Sequence, residues 1–480
     1  NIGLALLAHL AAHDFGYLGA GQLLIRLERM FETMCRLKRH RNHFYNWYDT
    51  QSLRPLPPRY ISTVDSGNLA GHLLALRSGL LALPDEAAAN PRALDGLRDT
   101  AAVLDEALEN LTASSARNAR TLLHKRLDAL LPAAFSLSEQ TVTALDALVD
   151  AARALERMVE HAAGQNDESP SPEHQEVLFW SRTLTAQCLD VREEIAALAL
   201  PSECLPAGAE TPLTWRQLAA LRPPARHPAD RDSAKRHARL DKIRDLARAR
   251  LDAAARLADL VDELAHMDFC FLFDERRKLL SIGYNADDGR RDDNHYDLLA
   301  SEARLACLVA IARDRLPQES WFALGRQITA ADGEPTLLSW SGSMFEYLMP
   351  LLVMPAYPAS LLDQTCRGAV DRQIAYGRQH GLPWGVSESC YNALDAGLNY
   401  QYRAFGVPGL GLRPGLEDDL VLAPYASALA LLVNPEEACR NLRRLKDQGL
   451  GGRFGMYEAV DYTAARLPRG HDRAVIRAFM

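Results

Sequence analysis

The sequence predicts a mainly helical fold, on three observations. Apolar residues recur at three- and four-residue spacing near the start, at Leu4, Leu7, Leu10 and Ala11. From about 83 to 266 the chain is written mostly in Ala, Leu, Arg and Glu with few aromatics, the texture of long amphipathic helices packed as hairpins. Only residues 269–285 read as strand, two apolar stretches around a charged turn, so a single β-hairpin is expected there.

Along the chain, a second helical run covers Leu23 to Leu37. A polar and aromatic loop follows at His43 to Thr50, then a turn at Pro55, Pro57 and Pro58, and Ser62 to Asn68 leads into another helix. In the Ala- and Leu-rich region the clearest helical stretches are Leu122 to Leu131 and Leu240 to Leu264. Breaks are expected at 166–172, 201–212 and 223–232. Beyond the hairpin, helices are expected at Leu298 to Ala312, Leu361 to Gln379, Tyr425 to Leu432 and Pro435 to Gln448, separated by loops bearing Gly and Pro.

The 480 residues exceed the usual size of one domain, so one large domain and at least one accessory region are expected. Lys and Arg number 54 against 62 Asp and Glu, a net charge of −8 that argues against a nucleic-acid partner and suits a neutral polymer. Cysteines at 35, 188, 204, 270, 307, 366, 390 and 439 form no Cys-x-x-Cys pair and read as mostly reduced, buried thiols. No apolar run approaches the roughly 20 residues that span a bilayer, and no basic-then-apolar signal opens the chain. Because the first residue is Asn1, a piece of something longer is expected, with any membrane anchor outside it.

Three glutamates stand among aromatic and small residues: Glu346 in 339–347, which also holds Trp340; Glu388 beside Trp384 and Gly385; and Glu458 beside Tyr457. Carboxylates in such surroundings are poorly hydrated, which raises their pKa toward proton donation. Two of them flanking a sugar ring are the minimum equipment of a glycosidase or transglycosylase. Glu388 and Glu458 follow aromatic-glycine loops and are the first choice for the pair. Glu346, inside the run 344–354, is the reserve. The plainer alternative for Glu388 and Glu458 is a helix cap or a partner for an arginine such as Arg453, and for Glu346 a buried helix whose one glutamate is satisfied by an arginine or hydroxyl. Candidate sugar contacts are Trp47, Tyr48, Asp49, Asp65, Asn68, His72, Trp340, Trp384, Tyr391, Asn392, Tyr400, Tyr402, Arg403 and Tyr457, through ring stacking and hydroxyl binding. The aromatics among them could equally be core residues with a polar tip. His72 and His295 have no metal-ligand spacing, so no metal and no cofactor is expected. Gly406, Gly409 and Gly411 lack the strand and Lys-Ser/Thr of a phosphate loop.

These motifs resemble the glycoamylase-like middle domain of cyclic β-1,2-glucan synthases, glycoside hydrolase family 189. The resemblance is carried by 43–50 (HFYNWYDT), 62–72 (STVDSGNLAGH), 281–285 (SIGYN), 296–304 (YDLLASEAR), 340–350 (WSGSMFEYLMP), 383–392 (PWGVSESCYN), 400–411 (YQYRAFGVPGLG), 423–426 (APYA) and 455–462 (GMYEAVDY). It implies an (α/α)6 barrel with motif loops lining a cleft. Residues 1–82 would contribute helices and loops to it, 83–266 a helical accessory scaffold, and 267–480 the catalytic portion. The implied activity is closure of linear β-1,2-glucan into a ring by retaining transglycosylation, with Glu388 as nucleophile and Glu458 as acid/base by analogy. The implied partners are glycosyltransferase and phosphorylase-like domains of the same longer chain at a bacterial inner membrane, this domain being soluble and cytoplasmic. An endo-β-1,2-glucanase on the same fold and a non-catalytic glucan-binding domain are the competing readings.

Overall fold

The computed structural model describes residues 1–109, 111, 114–128, 139–164, 171–199, 213–222, 233–331 and 334–478. The described chain is mainly helical, with short strands of two to six residues. It falls into two compact units: Asn1–Arg36 with Leu73–Glu263, and Leu37–His72 with Leu264–Met480.

The first unit is built from long helices because its apolar residues keep the helical period. In Ala93–Glu109, Leu94, Leu97, Ala101, Leu104 and Leu108 lie on one face and are buried. They share a core with Leu145, Leu148, Ala152 and Leu155 of Glu139–Gly164 and with Leu184, Cys188, Val191 and Ile195 of Pro172–Leu198. Ser171 caps the last of these by accepting from the His174 N–H. One polar pair crosses the core, Thr100 Oγ1 donating to Gln187 Oε1 at 2.6 Å. The helix expected over 122–131 is Ser114–Asp128, and that over 240–264 is Ser233–Leu264. Residues 129–131, the breaks at 201–212 and 223–232, and 166–170 of the remaining break lie outside the described residues.

In the second unit, strand Tyr60–Ser62 pairs with Gly283–Asn285, which in turn pairs with Arg290–Arg291. Thr63 Oγ1 ties the same joint by donating to the Ser281 carbonyl at 2.6 Å. The expected hairpin is present as Phe273–Asp274 against Leu279–Leu280. Asp274 accepts the Arg276 and Arg277 N–H groups and makes the tight turn. The end of its second apolar stretch, Gly283–Asn285, belongs to the Tyr60–Ser62 sheet. Helix Leu361–Gln379 occupies its expected span, begun by the Ser360 cap and followed by Gly381 at φ +68°. The others are shorter than expected: Ala303–Ala312, Pro424–Ala430 and Pro435–Leu445, the last running into a wider turn that ends around left-handed Gly449. The core joins Met344, Tyr347, Leu348, Ala369, Val370, Trp384, Val386, Val407, Leu410 and Leu422. Strand pairings also lie where none was expected, among them Ile328–Ala331 with Glu334–Leu337, Ser389–Leu394 with Tyr400–Arg403, and Ala459–Asp461 with both Val421–Leu422 and Ala474–Ile476. Strands this short carry no readable alternation.

All seven described cysteines are free thiols, with 188, 307, 366 and 390 buried. Cys204 lies outside the described residues. Among the described residues no helix is long and apolar enough to cross a membrane.

Candidate active site

Glu388 sits on an extended strap, 384–388, held by its backbone. The Gln373 side-chain amide clamps Val386 from both sides, donating to its carbonyl at 2.7 Å and accepting its N–H at 2.8 Å. The N-terminus of helix Met344–Leu348 reaches the same strap, where Phe345 N–H donates to Ser387 Oγ at 3.1 Å. Tyr425 donates to the Glu388 carbonyl at 2.9 Å and bonds Ser387 Oγ at 2.7 Å. The direction follows from the donors: Phe345 N–H to Ser387, Ser387 hydroxyl to Tyr425, Tyr425 hydroxyl to Glu388. The Glu388 carboxyl is pushed up to about 8 by burial first, then by the charges of Glu302 and Glu346, against one favourable hydrogen bond from Tyr402.

Glu302 is almost fully buried. It precedes helix Ala303–Ala312 and makes no side-chain cap bond, so its carboxylate serves other partners. The Ser301 hydroxyl donates to it from a residue in the left-handed region, φ +50°. Burial raises its pKa, hydrogen bonds from Ser301 and Asn68 pull the other way, and the Asp65 charge adds to the rise. Asn68 and Asp65 stand on the first turns of helix Thr63–Ala82. That helix comes close because Gly67 faces Ala306: a Cβ on Gly67 would lie 2.3 Å from the Ala306 Cβ. Tyr296, beside Asp65 and Glu302, is pushed up to about 12, mostly by burial.

Glu458 accepts the Cys390 N–H on Oε1 at 3.0 Å, and burial raises its pKa. Tyr402 and Tyr425 feel both Glu388 and Glu458, and Tyr402 also feels Glu302; burial and these charges raise both phenols. The carboxylates 302, 388 and 458 and the phenols 402 and 425 thus form one coupled cluster, with Asp65, Asn68 and Tyr296 on its Glu302 side. Tyr402 rides on the hairpin Ser389–Leu394/Tyr400–Arg403, which a buried ion network fixes. Asp461 accepts the Asn392 N–H at 3.1 Å and pairs with Arg466, which also pairs with Asp419, itself 3.1 Å from Arg403.

Glu346 lies apart in kind. It stands at the third position of helix Met344–Leu348 and forms a capping box with Ser343. Its Oε2 also receives the hydroxyls of Ser339 (2.8 Å), Ser341 and Ser343 (3.1 Å) and the N–H groups of Ser341 and Ser343 (3.2 Å each). Arg304, fully buried, donates to the carbonyls of Glu346 and Tyr347 rather than to the carboxylate.

The remaining expected contacts divide by surroundings. Trp47, Trp340 and Tyr400 are exposed, and Tyr402 is half-exposed, 49% of its surface being open although its phenol lies among the carboxylates. Trp384 is in the core, its main-chain carbonyl bonded by Asn441 and its Cβ 2.8 Å from where a Gly377 Cβ would be. Tyr48 is tied into its own loop, donating to the Lys38 carbonyl, and Asp49 caps a turn by accepting from Ser52. His72 is buried with Nε2 unpartnered and its pKa pushed down to about 4 by burial, so it is neutral. Asn392 donates to the Arg466 carbonyl, Tyr391 to Gln401, and Arg477 lies over the Tyr457 ring. Arg403 is taken up by Asp419. Glycines 406 and 411 pack against the Ser341–Gly342 backbone, which a Cβ at 406 would strike at 1.7 Å. Among the described residues no three His, Cys, Asp or Glu gather as a metal site. Glu302, Tyr425 and Ser387 are the cluster members that reading the residues did not single out. Glu302 lies inside the 296–304 motif, between Ser301 and Ala303, without the aromatic neighbours that marked the other glutamates.

Residues 294–480 fit the glycoamylase family model, described as "Putative glucoamylase". The whole chain is 38% identical, over 482 residues, to the cyclic beta-(1,2)-glucan synthase NdvB of Rhizobium meliloti (strain 1021), and spans 16% of that longer protein. The resemblance to a segment of these synthases therefore stands. The endo-beta-1,2-glucanase of Chitinophaga pinensis, solved with sophorotriose and glucose, aligns with TM-score 0.46 and 11% identity over 96% of this chain and 75% of its own.

Proposed function

We propose that the second unit closes linear β-1,2-glucan into a ring by retaining transglycosylation, with Glu388 as acid/base and Glu302 as nucleophile. The observation that carries this is that the charge of buried Glu302 acts on half-buried Glu388. Two like charges that feel each other titrate in two steps. Hydrogen bonds from Ser301 and Asn68 favour the charged form of Glu302, and that charge in turn helps push Glu388 up to about 8. The asymmetry supports Glu388 as the donor and Glu302 as the carboxylate.

The carboxylate attacks C1 while Glu388 protonates the departing glycosidic oxygen, and a glycosyl-enzyme forms. Glu388, now ionised, takes the proton of a 2-hydroxyl at the far end of the same chain as that oxygen attacks C1 and releases Glu302. Two inversions leave the β linkage as it was. Glu458, with Oε1 engaged by Cys390, offers Oε2 to a sugar hydroxyl, so its role moves from acid/base to binding. The serine-bound Glu346 takes no part in the proton or glycosyl transfer itself. Exposed Trp47, Trp340 and Tyr400 and half-exposed Tyr402 supply stacking faces, and Asp65 a hydroxyl contact. The first unit serves as scaffold. The partners are linear β-1,2-glucan and the glycosyltransferase and phosphorylase-like domains of a longer chain anchored in a bacterial inner membrane, with this part in the cytoplasm. The 16% share of the similar synthase supports a longer chain.

Mass spectrometry of products from linear β-1,2-glucan tests this. Products one water lighter than linear chains, with no reducing end, are expected. Shorter reducing oligosaccharides alone would make the enzyme a hydrolase, and unchanged substrate would leave a binding domain.

A further inference from the structure

We propose that Glu346 is a positioning residue for the acid Glu388, its serine-bound carboxylate both fixing the strap that carries Glu388 and setting a standing negative charge behind it. The inference rests on the reading of Glu388 as the acid.

Five donors converge on Glu346 Oε2, three hydroxyls and two main-chain N–H groups. Main-chain N–H groups cannot reverse their role, so Oε2 is held as an acceptor. Ordinary helix capping needs one or two such bonds. This group has three serines on alternate residues, 339, 341 and 343, folded round one oxygen. The loop that bears them is locked in turn: Gly342, at φ +72°, packs against the Gly411 N and the Val407 carbonyl, and the Ser339 N–H bonds the Leu410 carbonyl at 3.0 Å.

Helix Met344–Leu348 transmits that fixity. Its first two N–H groups point at the strap, Met344 to the Val386 carbonyl at 3.4 Å and Phe345 to Ser387 Oγ at 3.1 Å. The bond from Ser387 continues through Tyr425 to the Glu388 carbonyl. Around Glu388 the ionisable groups are Glu302, Glu346, Tyr402, Tyr425 and, across Cys390, Glu458; around Glu346 they are Asp297, Arg304 and Tyr347. Arg304 is the cation of the set; its guanidinium donates to the Glu346 and Tyr347 carbonyls, and its charge interacts with those of Glu302 and Glu346. The charge of Glu346 still reaches Glu388 and adds to the burial and to the Glu302 charge that keep it protonated.

Removal of that charge lowers the pH at which Glu388 ionises, and the acid is lost from the enzyme sooner as pH rises. The test is the pH profile of kcat on linear β-1,2-glucan for wild type and Glu346→Gln. The expected result is an alkaline limb displaced to lower pH in the variant, with up to about tenfold extra loss of kcat on the alkaline side for each unit of displacement, while KM changes little. A Glu346→Gln enzyme slower at every pH with its limb in place would overturn the proposal, since a purely structural role predicts that. If the amide does not fit among the serines, Glu346→Leu with Ser339→Ala and Ser341→Ala removes charge and hydroxyl donors together and is read the same way. A wild-type profile with no alkaline limb would instead strike at Glu388 as the acid, which separates the two failures.

Discussion

At the residue scale the chemistry turns on how one carboxyl is kept from ionising. Glu388 titrates near 8 in the folded chain against an ordinary 4.5. Below pH 4.5 both folded and unfolded chains hold its proton, and the group makes no difference to stability. As pH rises toward 8 the unfolded chain releases the proton freely while the folded one retains it, so stability falls across that window and levels off above it. Glu388→Gln removes this penalty. The variant is expected to melt above wild type at pH 8–9 and to converge with it near pH 4, as differential scanning calorimetry at both ends would record. The same change removes the proposed proton donor, and kcat is expected to drop about 10²–10⁴-fold. Glu302→Gln is expected to lose at least as much, because no glycosyl-enzyme can form. Glu458→Gln, in a binding role, is expected to raise KM more than it lowers kcat, and a loss of kcat matching that of Glu302→Gln would return Glu458 to the pair. Aromatic neighbours made Glu388 and Glu458 legible in the sequence. Glu302 was not, because its burial comes from a helix packed over it and not from residues beside it in the chain.

At the scale of elements, the site depends on how closely two helices approach. Thr63–Ala82 presents Gly67 and Gly71, one turn apart, to Ala306 and Leu305 of Ala303–Ala312. That contact sets Asn68 against Glu302. In an open helix Gly→Ala would gain about 1 kcal/mol. At 67 the added methyl meets a Cβ at 2.3 Å, so overpacking of about 1–3 kcal/mol outweighs the gain. Gly67→Ala is expected to lower Tm and, by moving Asn68, to reduce kcat with little change in KM. Unchanged kinetics would show that the approach of the helices does not matter to Glu302. The small residues of 62–72 were visible in the sequence, but their purpose needs the partner helix, more than 200 positions away. Helix Leu361–Gln379 was legible to the residue because Ser360 and Gly381 punctuate it. The hairpin carrying Tyr402 was not, since Ser389, Cys390, Tyr391 and Asn392 show no alternation and its order comes from Asp461, Arg466 and Asp419 behind it.

At the scale of the whole molecule, the unit that holds the site is assembled from two stretches, 37–72 and 264–480, separated by 191 residues of the other unit. No shift of composition marks 36/37 or 72/73: the second falls inside a continuous helix, and periodicity alone cannot divide one. The glycoamylase match begins at 294 and so leaves out strand Tyr60–Ser62, its partner Gly283–Asn285, and Asn68. These segments do two jobs. The strand covers the edge of Gly283–Asn285, whose Gly283 meets the Tyr60 side chain so closely that a Cβ there would lie 2.1 Å from its hydroxyl. The first turns of the helix bring Asn68 to Glu302, where its hydrogen bond supports the ionised carboxylate. A chain of 264–480 alone therefore leaves a strand edge and the Ala306 face uncovered, and deprives the Glu302 carboxylate of the Asn68 hydrogen bond. That fragment is expected to unfold with low cooperativity and to leave linear β-1,2-glucan unchanged. Joining 37–72 to 264–480 through a flexible linker is expected to restore cooperative melting. Activity of the linked chain would then place all the chemistry in the second unit, whereas a cooperative but inactive one would give the long helices a part in turnover beyond scaffolding.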